Sequence, residues 1–189
     1  MLASKRVGPN GTVVAFEPDP ENIERMRRNA GLNPGLAMTI EEVAISDCEG
    51  EATFRRGGDS AKGSLLDGAN WEGRQAFTVP TTTLDSYVNG HGIDRVDVLK
   101  IDIEGAEPMA LEGMAEGLGA GRYGSIILEW HGDFHQGLAD RPGRALSLLD
   151  SSGYKLFVIR RRHWRPKLEP VRPEAVGEER IHLLCQRVE

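Results

Sequence analysis

Short apolar runs along the chain alternate with stretches in which apolar residues recur every three or four positions. The first pattern reads as buried strands and the second as helices with one inward face. "TVVAF", Thr12 to Phe16, follows the turn signal "GPNG" and reads as the first strand. A helix is predicted directly after it. Asp19 is placed to cap it, Pro20 suits its first position, Ile23, Met26 and Ala30 share a face, and Gly31 closes it. Arg25, Arg27 and Arg28 near its end suit the helix dipole.

The same reading continues down the chain. "MTIEEVAIS" and "GEATFRR" are strand-like, and "AFTVPTTTLDSYV" is a strand running into a helix from Leu84. Val96 to Ile101 forms a strand that crosses Gly105 into a helix with Met109, Ala110 and Met114 inward. "GSIILEW", a helix around Ala145 to Leu149 ended by Gly153, "YKLFVI" and "RIHLLCQ" complete the series. This alternation predicts an α/β fold, with a mostly parallel sheet and helices on both faces. At 189 residues and 39% hydrophobic, the chain is long enough for one core, so a single domain over residues 1–189 is expected. "RRGGDSAKGSLLDGANWEG", Arg55 to Gly73, reads as a long loop of the kind that forms lids or binding loops.

Charge and cysteine content narrow the class. A net charge of −6 argues against a broad nucleic-acid-binding face. "RRRHWRPK", Arg160 to Lys167, is a local basic exception and reads as a solvated loop between two strands. Cys48 and Cys185 are too few for a disulfide framework, and no apolar run approaches the roughly 18 residues that span a bilayer. The N-terminus lacks the apolar core of a secretion signal, so a cytoplasmic protein with no membrane or nucleic-acid partner is expected.

Open parallel sheets bind ligands at the carboxyl ends of their strands. The residues expected there are Glu17, Asp47, Asp102, Glu104, Glu129 and His131. A carboxylate at a strand tip accepts two hydrogen bonds from adjacent ribose hydroxyls, and Glu17 is the best candidate. Asp47 is placed to accept from an adenine amino group. Together they describe a site for an adenosine-containing cofactor.

"GTVVAFEPDPENIERMRRNA", "AISDCEGEATF", "TTTLDSYV" and above all "VLKIDIEGAEPMALEGM" resemble successive motifs of FkbM-type S-adenosylmethionine-dependent methyltransferases. The resemblance runs from the first residues to about Ile159, and the run Lys100 to Glu107 is its most specific part. It implies a Rossmann-like class I methyltransferase fold and methyl transfer from S-adenosylmethionine, usually to a hydroxyl oxygen. It also implies that Glu17 holds the cofactor ribose and that Ser46 and Asp47 lie by the adenine. Family members open with a strand and a glycine-rich turn resembling Asp-x-Gly-x-Asn-x-Gly, and "MLASKRV" resembles the tail of the helix after that turn. The domain is therefore expected to be N-terminally truncated as given. The lacking strand would belong between those ending at Phe16 and Ile101, and the natural protein would start further upstream.

A hydroxyl acceptor needs a general base within hydrogen-bond reach, and the candidate catalytic residues are Asp102, Glu104 and His131. Asp102 is favoured as base, Glu104 as the residue that orients the acceptor, and His131 as the alternative base. Lys100 joins Glu17, Ser46 and Asp47 in the cofactor-side set; it shares a strand face with Asp102 and either lowers that carboxylate's pKa or ties two elements. Glu107, in the first helical turn, is expected to cap. "HGDFH", His131 to His135, has the composition of a facial metal triad, but such spacing is common in polar loops and no metal is expected. The expected acceptor is a small molecule or sugar hydroxyl. The alternatives are an inactive domain of this fold that binds a partner, and a nucleotide-binding oxidoreductase with affinity for NAD.

Overall fold

The computed structural model describes residues 2–8, 10–33, 35, 38–57, 63–66, 75–135, 137–162 and 165–188. The chain packs as two compact units, Met1–Ile45 with Glu49–Thr82, and Ser46–Cys48 with Thr83–Glu189.

The first unit runs α1 (Leu2–Arg6), β1 (Val14–Phe16), α2 (Pro20–Gly31), β2 (Thr39–Glu41), β3 (Ala44–Ile45), β4 (Gly50–Arg56), β5 (Gly63–Ser64) and β6 (Ala76–Thr82). β1 pairs in parallel with β2. A separate four-stranded sheet has the order β3-β6-β4-β5 and buries Ala44, Phe54 and Val79 against Leu65 and Phe77. α2 begins as expected. Asp19 accepts from the Glu21 N–H at 2.9 Å, Pro20 is the first helical residue and Ile23 is buried. The sequence did not reveal that the same carboxylate also holds Arg56. The guanidinium donates from Nε to Asp19 Oδ2 at 2.6 Å and from Nη2 to Oδ1, a bidentate pair on a buried acid. The expected loop from Arg55 contains the end of β4 and all of β5; residues 58–62 and 67–74 lie outside the described residues.

The second unit runs α3 (Leu84–Gly90), β7 (Val96–Ile101), α4 (Glu107–Glu112), α5 (Ala115–Ala120), β8 (Tyr123–His131), α6 (Arg141–Ser151), β9 (Tyr154–Arg162), β10 (Arg165–Val171) and β11 (Arg180–Arg187). The five-stranded sheet has the order β10-β9-β11-β8-β7. The helix expected after Gly105 is split into α4 and α5, with Ala110 and Met114 buried as expected. Asp85 ties α3 to α5 and β8: it accepts from the Glu116 and Gly117 N–H groups and from the Tyr123 hydroxyl at 2.6 Å. Gly117 permits this, since a Cβ there would lie 2.4 Å from Asp85 Oδ1.

The sheets are mixed, which corrects the expectation of a mostly parallel sheet. β7 and β8 are parallel, but β11 is antiparallel to both β8 and β9, and β10 is antiparallel to β9. For β9 and β10 the reason is connection length. β9 passes to β10 across two residues, and a parallel crossover needs a dozen or more. "RRRHWRPK" is accordingly the turn end of a β9–β10 hairpin, with Arg160–Arg162 and Arg165–Lys167 in paired strands. His163 and Trp164 lie outside the described residues. Among the described residues no helix is long and apolar enough to cross a membrane.

Candidate active site

β7 and β8 run in parallel, so Asp102, directly after Ile101, and His131, the last residue of β8, come to the same end of the sheet. Between β7 and α4 the chain turns sharply. Glu104 has φ of 51° and Gly105 has φ of 100°. A left-handed non-glycine residue costs roughly 1–2 kcal/mol, so this conformation is held by its surroundings. The turn aims Glu104 at His131, with its Oε2 3.5 Å from the imidazole Nε2. Asp102, Glu104 and His131 each place one oxygen or nitrogen within 4.8 Å of the others.

Glu107 holds this turn in place. It is fully buried, and one carboxylate oxygen accepts from the Gly105 N–H at 3.0 Å, the Ile103 N–H at 3.3 Å and His131 Nδ1 at 2.9 Å. Its other oxygen meets His135 Nε2 at 3.3 Å. Helix capping, the expected role, is therefore the smaller part of what Glu107 does. Burial alone would push its pKa up, but the two histidines and the Gly105 N–H outweigh burial and hold it down at about 2. It is an anion at the centre of the turn.

His131 is fully buried. Burial disfavours its charged form, yet the Glu107 carboxylate on Nδ1 and Glu104 beyond it prevail, and its pKa is raised. With Nδ1–H given to Glu107, Nε2 faces Glu104. Among the described residues neither His131 Nε2 nor Glu104 Oε2 has a hydrogen-bond partner, and both atoms are buried. Glu129 lies next, with Oε1 3.7 Å from Nε2 and Oε2 3.2 Å from His182. Gly132 lets the chain turn after β8, because a Cβ there would lie 2.8 Å from the Glu178 Cα.

The other expected site residues fall as follows. Lys100 reaches Asp102 at 2.5 Å in an exposed pair, the contact that their shared strand face anticipated. Glu17 follows β1 in the first unit and is half-buried; it accepts from the Asp19 N–H at 2.9 Å and from Asn22 Nδ2 at 3.4 Å. Its pKa is raised, chiefly by burial. In the second unit, buried Ser46 donates to Asp47 at 3.1 Å, and Asp47 also accepts from Arg141, which donates from Nε to Glu112 at 2.6 Å. Asp133 of "HGDFH" lies 3.3 Å from Arg180, and His135 meets Glu107. Sequence reasoning missed Arg141 and singled out His135 only through that motif.

The family model described as the methyltransferase FkbM domain matches residues 1–156. The chain belongs to the FkbM methyltransferase family. It is 29% identical over 119 residues to the hexuronic acid methyltransferase AglP of Haloferax volcanii, covering 63% of this chain and 47% of that protein. It is 30% identical over 129 residues to the 2-O-methyltransferase NoeI of Sinorhizobium fredii, covering 61% of this chain and 52% of that one. The chain thus spans about half the length of these curated relatives. The crystal structure of methyltransferase FkbM from Methylobacillus flagellatus superposes with a TM-score of 0.51 at 17% identity, over 92% of this chain and 36% of that one. At that identity the likeness speaks for the α/β fold alone. The Lys100 to Glu107 run that carried the resemblance is the turn just described, from the end of β7 into α4.

Proposed function

We propose that the protein is an S-adenosylmethionine-dependent O-methyltransferase of Rossmann-like class I architecture, acting on a hydroxyl of a sugar or a similar small polar molecule. The observation that carries the reading is the convergence of Asp102, Glu104 and His131 at the carboxyl ends of parallel strands, in a chain of this family. The relatives named for hexuronic acid and 2-O methylation support the hydroxyl of a sugar as acceptor.

S-adenosylmethionine, when bound, supplies a methyl group activated on a sulfonium. The protein's share is to align the acceptor oxygen and ease the loss of its proton. Glu17 is the residue for the ribose: a carboxylate offers acceptors for two hydroxyls, and among the described residues one of its oxygens holds only the long 3.4 Å bond from Asn22. Ser46 and Asp47 are the residues for the adenine, with Arg141 fixing the Asp47 carboxylate. Asp102, Glu104 and His131 receive the acceptor hydroxyl. His131 is better held than Asp102 for this task, because Glu107 fixes its ring and tautomer, whereas Asp102 is exposed and paired with Lys100.

Calorimetry of the full-length protein tests the cofactor side. S-adenosylhomocysteine is expected to bind and NAD not to, and Glu17→Ala is expected to weaken S-adenosylhomocysteine by about 10-fold or more, as for lost hydrogen bonds to a charged group. Unchanged affinity in Glu17→Ala removes Glu17 from the site, and binding of NAD alone overturns the methyltransferase reading.

A further inference from the structure

We propose that Asp102, Glu104 and His131 form a binding site for one divalent cation of the Mn2+ type. Three observations carry this. The first is reach. The three ligand atoms lie within 4.8 Å of one another, while ligands about an octahedral ion with bonds near 2.1 Å stand about 3.0 Å apart when adjacent and about 4.2 Å apart when opposite. Side-chain adjustments of under about 1 Å close the set on an ion.

The second observation is the facing pair of orphaned atoms. His131 Nε2 and Glu104 Oε2 stand 3.5 Å apart, buried, with no hydrogen-bond partner for either among the described residues. A carboxylate oxygen and an imidazole nitrogen at this distance need positive charge between them, either a proton on Nε2 or a metal ion that takes its place. Among the described residues, Arg180 pairs with Asp133, and Lys100 pairs with the exposed Asp102 of the set rather than with this buried pair. A metal ion bound by both atoms satisfies them at once.

The third observation is the support behind His131. Glu107 accepts a hydrogen bond from Nδ1–H at 2.9 Å, which leaves Nε2 facing outward as the ligand atom; a carboxylate behind a histidine is the usual setting of a metal-bound imidazole. Two carboxylates with one imidazole place the set between the all-oxygen preference of Mg2+ and the nitrogen- and sulfur-richer sites of zinc, and so suit Mn2+. Asp102 is exposed, so coordination positions on that side are open to water or to a substrate oxygen. This set differs from the "HGDFH" triad, whose Asp133 and His135 are engaged with Arg180 and Glu107.

The inference rests on the proposed function only for the ion's use: positive charge there holds the acceptor's hydroxyl oxygen and makes its proton easier to remove. Binding itself is tested without substrate. Full-length protein freed of metal with a chelator is titrated with Mn2+, followed by electron paramagnetic resonance and calorimetry, with S-adenosylhomocysteine binding measured on the same samples. One ion per chain is expected, with Kd between about 10 µM and 1 mM. Glu104→Gln and Asp102→Asn, both at partly exposed positions, are each expected to weaken it at least about 10-fold, while Asp133→Asn leaves it within about threefold. No Mn2+ bound at about 5 mM overturns the site, as does binding unchanged in both carboxylate variants or abolished in Asp133→Asn. Mn2+ binding without S-adenosylhomocysteine binding leaves the site standing and counts against the methyltransferase reading; the converse counts against the site alone.

Discussion

Glu107→Ala is expected to lower the stability of the protein by about 3–5 kcal/mol, read from the denaturant midpoint, because it removes the charged partner of a buried hydrogen-bonded pair. The wild-type carboxylate is fully buried and serves four donors: His131, His135 and the N–H groups of Ile103 and Gly105. Alanine leaves all four without an acceptor, and both histidines are themselves buried. Glu107→Gln is expected to cost less, about 1–3 kcal/mol, since its amide oxygen still accepts while its NH2 meets a donor. A loss under about 1 kcal/mol in Glu107→Ala would mean that the turn is held by something other than this carboxylate.

The second large effect separates function from stability at Glu104. Glu104→Gly is expected to leave stability unchanged or to raise it by about 0.5–1 kcal/mol, because glycine relieves the left-handed φ of 51° and loses a buried oxygen that has no hydrogen-bond partner among the described residues. The same substitution is expected to lower methyl-transfer turnover by about 100-fold or more, with affinity for S-adenosylhomocysteine within about threefold of wild type. A residue that is strained, unsatisfied and costly to keep is the pattern of a site selected for activity. If Glu104→Gly destabilised the protein and left turnover intact, Glu104 would be structural and the acceptor site would have to lie elsewhere.

How much of this was legible in the sequence depends on range. Asp19 and Pro20 opened α2 as expected because capping is local: the side chain bonds a backbone N–H two residues on. The strands ending at Phe16, Ile101 and His131 were visible because an apolar run bounded by turn signals depends on few neighbours. The expected "MTIEEVAIS" strand broke into β2 and β3, belonging to different sheets, since its pairing is decided by β1 and β6. Strand direction was not legible at all. The apolar run of β11 fits a parallel or an antiparallel neighbour equally, and only the chain path after β10 sets it between β8 and β9.

The site divides in the same way. Asp102, Glu104 and His131 were identified as a set because each follows or ends an apolar strand, and the structure brings them together. The support behind the set was not legible. Glu107 reaches His131 and His135 over 24 and 28 residues, a pairing with no spacing signature, so the residue that fixes His131 looked like one more acid in a helix's first turn. Arg56 on Asp19 and Arg141 between Asp47 and Glu112 escaped for the same reason.

The central claim is methyl transfer to a sugar hydroxyl, and one measurement tests it most directly. Full-length protein is incubated with methyl-labelled S-adenosylmethionine and a panel of hexuronic-acid-bearing and neutral oligosaccharides, and the labelled carbon is located by NMR. The account predicts an O-methyl ether on a ring hydroxyl, formed by the wild type and reduced about 100-fold or more in Glu104→Gly. Label found on a carboxylate as an ester or on an amine, or no label on any sugar from protein that binds S-adenosylhomocysteine, would contradict it.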